Sequence, residues 1–261
     1  MSLPGPCKST ASHFYKYSSP DHLEWLKDIL LKHELYLPNL TELNDENDGL
    51  PRLARQTEDE MASWIYHQFV KNNPNMSPEE LHKNEMIIRF NVQKHGPAAL
   101  HPDLVKSLDA QLKDFRVYSM TKRYDMTNLW ALYAANHRGY CLEFENTGDL
   151  FQYAKDVSYL HSDKMEISIT DPALLNGYFL FCKTSNWSNE DEVRLVLSRK
   201  DGRSKVRLND PRWLTRIILG KDMSEKHKAQ IREWAKERVP ELTVVDAYYD
   251  AIHRAIKLRE K

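Results

Sequence analysis

The segment N-W-S-N-E-D-E-V-R at residues 186–194 is the most informative stretch of the chain, because a polar turn there leads into an apolar strand predicted over 192–197. Residues two apart on an extended chain point to the same side. We therefore expect Glu190 and Glu192 to present two carboxylates together, with Arg194 beside them. Paired carboxylates raise one another's pKa or stabilise a developing cation. The structural alternative is an acidic turn before a strand with one polar face.

Short strands and several helices are predicted on both sides of this segment. Alternating or aromatic stretches predict strands at 13–17, 35–38, 116–121, 140–144, 157–159, 192–197, 205–208, 214–219 and 242–247. Helical spacing and capping residues predict a helix that ends near His33 and further helices at 125–134, 172–183 and 224–238. Gly139 is expected to close the helix at 125–134. Strands joined by turns, with helices clustered early, favour an α+β fold over a regular βαβ array.

The predicted organisation is a single α+β domain over 13–250. A flexible arm rich in Pro, Gly and Ser precedes it at 1–12, and a tail follows at 251–261. Two or three helices over 56–115 form an insertion between strands. Its larger apolar residues are expected to be the packed face of this insertion: Trp64, Phe69, Met86, Ile87, Phe90 and Leu104.

The composition excludes several classes of protein. The chain has 261 residues, of which 41% are hydrophobic, and it has three cysteines without a CxxC pair. This pattern argues against a zinc knuckle or a disulfide framework and favours a reducing cytoplasm. We expect no metal, since the histidines lack ligand spacing, and no membrane span. Neither a GxGxxG nor a GxxxxGK[ST] motif is present, so any nucleotide would be held by side chains and aromatic stacking.

The charge is balanced overall but not along the chain. The formal net charge is -1, whereas from Arg194 to the end 18 Lys and Arg stand against 10 Asp and Glu. The residues 194–216 are the densest basic run, and such a run can bind nucleic-acid phosphates. A solvated charged face is the alternative interpretation.

A second cluster accompanies the helix predicted at 125–134. Trp130, Tyr133 and His137 recur at i, i+3 and i+7, and the aromatic strand at 13–17 places His13, Tyr15 and Tyr17 on one side. Such residues either line a cleft for a planar ring or fill a core, and a lone His at a helix end often serves as a hydrogen-bonded cap.

Several of these segments together resemble one family. They are F-Y-K-Y at 14–17, L-N-D at 43–45, Y-S-M-T at 118–121, N-L-W-A-L-Y-A-A-N-H-R-G at 128–139, N-W-S-N-E-D-E-V-R at 186–194 and R-I-I-L-G at 216–220. The combination is similar to the uncharacterised bacterial domain-of-unknown-function family 2971. This resemblance covers most of the chain but implies no activity.

A weaker resemblance is to the ADP-ribosyltransferase superfamily. In that fold a first strand carries His or Arg, a middle strand an aromatic residue followed by Ser-x-Ser/Thr, and a later strand begins with E-x-E. His13 with Tyr15, then Tyr118-Ser119-Met120-Thr121, then Glu190-Asp191-Glu192 occur in that order. The resemblance implies a split mixed or antiparallel β core with an inserted helical segment, and NAD as substrate.

The same resemblance implies roles for particular residues. Glu192 would bind the nicotinamide-ribose hydroxyl and stabilise an oxocarbenium-like transition state, and Glu190 would orient the nucleophile. Ser119 and Thr121 would support Glu192. His13 and Tyr15 or Tyr17 would contact NAD. Residues matching only family 2971 are expected in an altered binding site: Asn44, Asp45, Trp130, Tyr133, His137 and Arg194.

The leading hypothesis is therefore an ADP-ribosyltransferase-like enzyme that modifies a nucleic-acid or protein acceptor, as a toxin with a cognate antitoxin or as a phage-defence effector. One alternative is a nucleic-acid-binding or processing protein that uses the basic segment 194–216. Another is a non-catalytic regulatory module in which the clustered polar residues form a structural network.

Overall fold

The computed structural model describes residues 3–43, 48–49, 52–97, 106, 110, 112–161, 166–171, 174 and 176–259. It is an α+β structure with two compact units. The first, here the helical unit, comprises Met1–Pro6, Leu43–Phe115 and Ser158–Trp187. The second, here the sheet unit, comprises Cys7–Glu42, Arg116–Val157 and Ser188–Lys261.

Fourteen strands are defined in the described residues. They are β1 (His13–Ser18), β2 (Glu34–Tyr36), β3 (Arg52–Leu53), β4 (Phe115–Thr121), β5 (Tyr140–Glu145), β6 (Lys155–Asp156), β7 (Ser158–Leu160), β8 (Glu166–Ile167), β9 (Cys182–Thr184), β10 (Glu192–Ser198), β11 (Lys205–Arg207), β12 (Leu214–Leu219), β13 (Thr243–Asp250) and β14 (Ala255–Arg259).

The α-helices whose bounds fall within the described residues are α1 (Leu23–Lys27), α2 (Glu58–Asn72), α3 (Pro78–His95), α4 (Thr127–Leu132), α5 (Gly148–Phe151) and α6 (Glu225–Glu237). A 3₁₀ turn at Pro20–His22 precedes α1 and a π-helical segment at Asp28–Lys32 follows it, so this helical region ends one residue before His33.

An eight-stranded mixed sheet forms the core of the sheet unit, in the order β14-β13-β12-β5-β1-β4-β10-β6. The pair β12–β13 is parallel, whereas β1 is antiparallel to both β4 and β5. Because β5 and β12 lie inside the sheet, their residues are buried on both faces, and β5 does not alternate between buried and exposed positions as predicted.

Each face of this sheet packs against helices. On the face here called the α6 face, Phe14, Tyr118 and Val193 pack with Leu30 of the π-helical segment and Trp234 of α6. On the opposite face, here called the α4 face, Tyr15, Tyr17 and Cys141 pack with Leu129 and Trp130 of α4. Since successive strand residues alternate between faces, this packing fixes which side chains of β1, β4 and β10 share a face.

The helical unit contains α2 and α3, which contact each other, and both helices begin at capping boxes. Thr57 and Ser77 each accept a hydrogen bond from the backbone N–H of the glutamate three residues on, Glu60 and Glu80, whose side chains bond back. These boxes satisfy N–H groups that the first helical turn leaves unpaired. The prediction of helices within 56–115 is confirmed for these two segments.

The expected packed face of the insertion is wrong for its second helix. Met86, Ile87 and Phe90 are exposed on α3, by 59%, 47% and 63%, and Val92 is the buried residue there. An apolar stripe identifies one side of a helix, but it does not show that another element covers that side. Leu104 lies outside the described residues.

Two predicted helices also differ from the structure. The expected helix at 172–183 contains a 3₁₀ turn at Tyr178–Phe181 and then β9, which pairs in parallel with β7. Its apolar residues are buried all round, so their spacing could not distinguish a helix from a strand. α4 ends at Leu132 rather than Ala134, because Ala135, Asn136 and His137 adopt left-handed backbone angles.

The two chain ends take part in the sheet unit. In the segment expected to be an arm, Cys7 accepts a hydrogen bond from the backbone N–H of Asp156, and Ser9 donates one to Ala154. In the segment expected to be a tail, β14 pairs antiparallel with β13. Among the described residues, no helix is long and apolar enough to cross a membrane.

Candidate functional site

The three strands that carry the motifs are neighbours in the sheet, in the order β1-β4-β10. Tyr15 stands opposite Thr121 across the β1–β4 pair. Tyr118 and Met120 belong to the α6 face, so Ser119 and Thr121 point to the α4 face. By the same alternation, Val193 and Leu195 place Glu192 and Arg194 on the α4 face. The structure thus brings residues of all three motifs to one face of the sheet.

Glu192 and Arg194 form a buried ion pair within β10. The Arg194 Nε atom lies 2.6 Å from one carboxylate oxygen and Nη2 lies 3.1 Å from the other. The Arg194 side chain is fully buried and that of Glu192 is 5% exposed. A bidentate pair of this kind fixes the orientation of both groups and supplies the opposite charge that each needs away from water.

Glu190 reaches the same region by a different backbone path from the one predicted. It ends a 3₁₀ segment at Ser185–Glu190, and Asp191 has a left-handed φ of 45°, so the chain becomes extended only at Glu192. The Tyr133 hydroxyl donates a hydrogen bond of 2.6 Å to Glu190 Oε1. Tyr133 packs against the α4-face cluster. The Glu192 carboxylate is therefore placed on the α4 face by β10, whereas the Glu190 carboxylate is held there by its hydrogen bond to Tyr133. Simple alternation along one strand does not bring the two carboxylates together.

Tyr15 belongs to a buried polar network that the sequence did not reveal. Glu143 on β5 stands opposite Tyr15 on one side and Arg216 on the other. Arg216 pairs with the Glu143 carboxylate, and Thr215 donates to it at 2.8 Å. Burial raises the pKa of Glu143, but the hydrogen bonds from Arg216 and Thr215 outweigh it and leave that pKa below its usual value. Burial, together with Glu143, raises the pKa of Tyr15.

Tyr17, Trp130 and His137 form an aromatic cluster on the α4 face of the sheet. Trp130 is fully buried, donates from Nε1 to the Tyr124 carbonyl at 2.8 Å, and meets Tyr17 edge-to-face at 5.1 Å. His137 stacks on Trp130 with ring centroids 5.9 Å apart. Burial lowers the pKa of His137, and Lys221 lowers it further. The fully buried Trp130 ring offers no surface to a ligand, so its role here is packing.

The remaining candidate residues have varied positions. His13 and Ser119 are half-buried, and the His13 ring lies 3.1 Å from the Ser12 hydroxyl. Thr121 is buried, and its hydroxyl accepts a hydrogen bond from the Arg123 backbone at 3.4 Å. Asn44 and Asp45 lie outside the described residues.

Two glycines of the quoted motifs allow the loop after α4 to approach the sheet. A Cβ atom on Gly139 would lie 2.0 Å from the Ser18 carbonyl oxygen, and one on Gly220 would lie 2.1 Å from the His137 carbonyl oxygen. The Gly220 N–H also donates to the Gly139 carbonyl at 2.9 Å. Glycine at these positions therefore permits backbone contact, whereas the prediction used Gly139 only as a helix end.

The basic run at 194–216 is largely neutralised by carboxylates. Six of its eight cations have ion pairs: Arg194 with Glu192, Arg199 and Arg203 with Asp201, Lys205 with Asp28, Arg212 with Asp210 and Arg216 with Glu143. Arg212 lowers the pKa of Asp210 to about 2. The net charge that this run offers to a nucleic-acid backbone is therefore much smaller than its count of cations.

No group of three or more His, Cys, Asp and Glu side chains in the described part of the chain is arranged to hold a metal ion. Comparison with models of protein families, with curated proteins and with solved structures found no match.

Proposed function

We propose that the chain is an ADP-ribosyltransferase-like enzyme that uses NAD as substrate. The observation that carries the proposal is the adjacency of β1, β4 and β10, with Tyr15, Ser119, Thr121 and Glu192 on the α4 face. Three motifs that lie at 13–17, 118–121 and 190–192 in the sequence thus share one face of the sheet, as a transferase site requires.

In the proposed reaction, the bond between nicotinamide and ribose C1′ breaks, and neutral nicotinamide leaves with the bonding electrons. The nucleophile of the acceptor forms a new bond to C1′ and loses a proton. Positive charge develops on the ribose ring, and a fixed carboxylate stabilises it without reorganising during the step. Glu192 supplies that carboxylate, and Glu190 orients the nucleophile and takes its proton.

The partners of the two glutamates support this division of roles. Arg194 holds the Glu192 carboxylate by both oxygens, so its position is set before substrate binds. The Tyr133 hydroxyl holds one oxygen of Glu190. Tyr133 and Arg194 are accordingly proposed as positioning residues. Thr121 is proposed to support Glu192 because it lies on the same face of the neighbouring strand. The acceptor class proposed is a nucleic acid or a protein in the cytoplasm, as for a toxin or phage-defence effector.

The test is transfer of label from adenine-labelled NAD in cell lysate. We expect Glu192→Gln to lower the rate by at least about a hundredfold, the usual cost of removing one transition-state-stabilising group. The exposed Glu233→Gln on α6 is the matched control and should leave transfer unchanged. Removal of the label by protease or by nuclease identifies the acceptor class.

Because Glu192→Gln also alters a buried ion pair, Ser119→Ala provides a second variant at a half-buried position. Wild-type protein that transfers no label and shows no thermal shift with NAD would refute the proposal. So would full transfer by a folded Glu192→Gln variant.

The non-catalytic regulatory module is a second candidate, because Glu192 and Arg194 are buried and bind each other. In that case Glu192→Ala lowers stability and changes no activity. The same label-transfer experiment distinguishes the two, since only the transferase gives a glutamate-dependent product.

A further inference from the structure

A cavity of about 460 Å³ lies on the sheet unit away from the proposed active site. Lys221, one side of α6, the strand β13 and the end of β14 line it. β13 lies five strand spacings from β10, which is about 24 Å. This volume lies within the usual range of small-molecule sites. The cavity is therefore separate from the carboxylates of β10.

The charged groups of this cavity are mostly cationic. Lys221, Lys228, Arg232 and Arg259 line it, against the carboxylates of Glu225 and Asp246. A concave wall with an excess of positive charge concentrates anions. Lys221 pairs with Asp222, Lys228 with Glu225 and Asp246, and Arg232 with Asp246. Four cations therefore stand against three carboxylates, and Arg259 provides the surplus charge.

Asp246 orders two of these cations. Its carboxylate pairs with Lys228 at 3.3 Å and with Arg232, which binds the other oxygen. The Arg232 Nε atom is buried and has no hydrogen-bond partner within the described structure. A guanidinium has five N–H donors in a fixed plane and an ammonium has three, so both groups retain donors for an anion. Asp246 thus places the cations before a ligand arrives.

Arg259 and Tyr248 form one wall of the cavity, where Arg259 on β14 is the cross-strand partner of Asp246 on β13. The Arg259 guanidinium carbon lies 5.5 Å from the Tyr248 ring centroid, and Arg259 itself is exposed at the end of β14. Arginine forks match the oxygens of a phosphate, and an aromatic ring supports a flat group beside it. The wall therefore combines an anion-binding group with an aromatic surface.

We propose that this cavity binds a phosphate-bearing small molecule of nucleotide size, whose phosphates contact Lys228, Arg232 and Arg259. The cavity is partly open to solvent, but one helix and parts of two strands limit its extent. This limited extent favours a small ligand over the backbone of a nucleic acid, which binds along an extended basic surface.

The test is isothermal titration calorimetry at low ionic strength with inorganic phosphate, pyrophosphate and ADP. We expect ADP and pyrophosphate to bind more tightly than phosphate, since each offers more oxygens. Lys228→Gln and Arg259→Gln should each weaken ADP binding by about tenfold or more, the scale of one charge-assisted hydrogen bond. Lys236→Gln is the matched control, exposed on the same helix, and should change affinity less than about twofold.

Several other results would decide for or against the phosphate site. Among the described residues, the ion pairs of Asp246 are with Lys228 and Arg232 and not with Arg259. Arg259→Gln therefore decides the question if Lys228→Gln fails to fold. Equal losses in Lys236→Gln, or absence of ADP and pyrophosphate binding at millimolar concentration, would overturn the proposal. The proposal would also be overturned if a ten-nucleotide single strand bound more tightly than ADP and lost its binding in the same variants. The ligand would then be a nucleic acid and not a small molecule. Loss of ADP binding in Arg259→Gln, with label transfer from NAD unchanged, separates this site from the proposed active site.

Discussion

The guanidinium of Arg194 binds both oxygens of the Glu192 carboxylate, two residues away on the same strand, and both side chains are buried. Substituting only one partner of such a buried pair is strongly destabilising, because the remaining charge is left away from water without a counter-charge. It also sets the geometry of the carboxylate on which the proposed reaction depends. Stability and site geometry are therefore coupled at β10.

Replacing Arg194 by Met tests this coupling. We expect a loss of about 3–5 kcal/mol in the free energy of unfolding, because the Glu192 carboxylate loses its bidentate partner. Urea denaturation followed by circular dichroism measures it. The double variant Glu192→Gln with Arg194→Met should lose less than the two single variants combined. A single-variant loss below about 1 kcal/mol would show that the pair contributes little.

Replacing Tyr133 by Phe removes one hydroxyl and keeps the ring. Its hydrogen bond to the Glu190 carboxylate is 2.6 Å long, and we expect its loss to cost about 1–3 kcal/mol. Tyr153→Phe, at an exposed tyrosine, is the matched control and should stay within about 0.5 kcal/mol of wild type. In a Glu190→Gln background, Tyr133→Phe should lower the free energy of unfolding by less than it does in the wild type. Equal losses in both backgrounds would mean that the hydroxyl stabilises the protein through another contact.

The β10 strand and the relation of Glu192 to Arg194 could be predicted from sequence, because both depend on alternation within one strand. Tyr133 and Glu190 are 57 residues apart, and Glu143 and Arg216 are 73 apart. Such partners depend on strand order, which local patterns do not specify. The left-handed backbone conformation of Asp191 could not be predicted either, since a run of acidic residues does not encode a positive φ. The sequence pattern thus predicted six of the eight strands of the large sheet, but not β6, β14 or the contacts between strands.

The Glu143 network predicts how stability depends on pH. The folded-state pKa of Glu143 lies below the ordinary value of 4.5, because the hydrogen bonds from Arg216 and Thr215 outweigh the opposing effect of burial. The unfolded chain therefore binds the proton more readily, and the stabilisation is present above pH 4.5 and lost as the pH falls through the folded pKa.

Denaturation of wild type and Glu143→Gln between pH 7 and pH 3 measures this effect. Wild type should be more stable at pH 7, and the difference should narrow below pH 4.5. Glu233→Gln, exposed on α6, supplies the control for a generic loss of one carboxylate. A constant difference across the whole range would contradict the role given to Glu143.

Gly139 tests whether the loop after α4 needs close backbone contact. A Cβ atom there would lie 2.0 Å from the Ser18 carbonyl oxygen and 3.0 Å from Ala134 Cα, and backbone atoms cannot give way as a side chain can. Gly139→Ala should therefore cost about 3 kcal/mol or more in unfolding free energy, at the upper end of overpacking effects. Gly202→Ala is the control, since Gly202 has a φ of +70° but open space around it. Its cost should be about 1–2 kcal/mol, from the backbone conformation alone. If the two variants lost equal stability, steric contact at Gly139 would not be the cause.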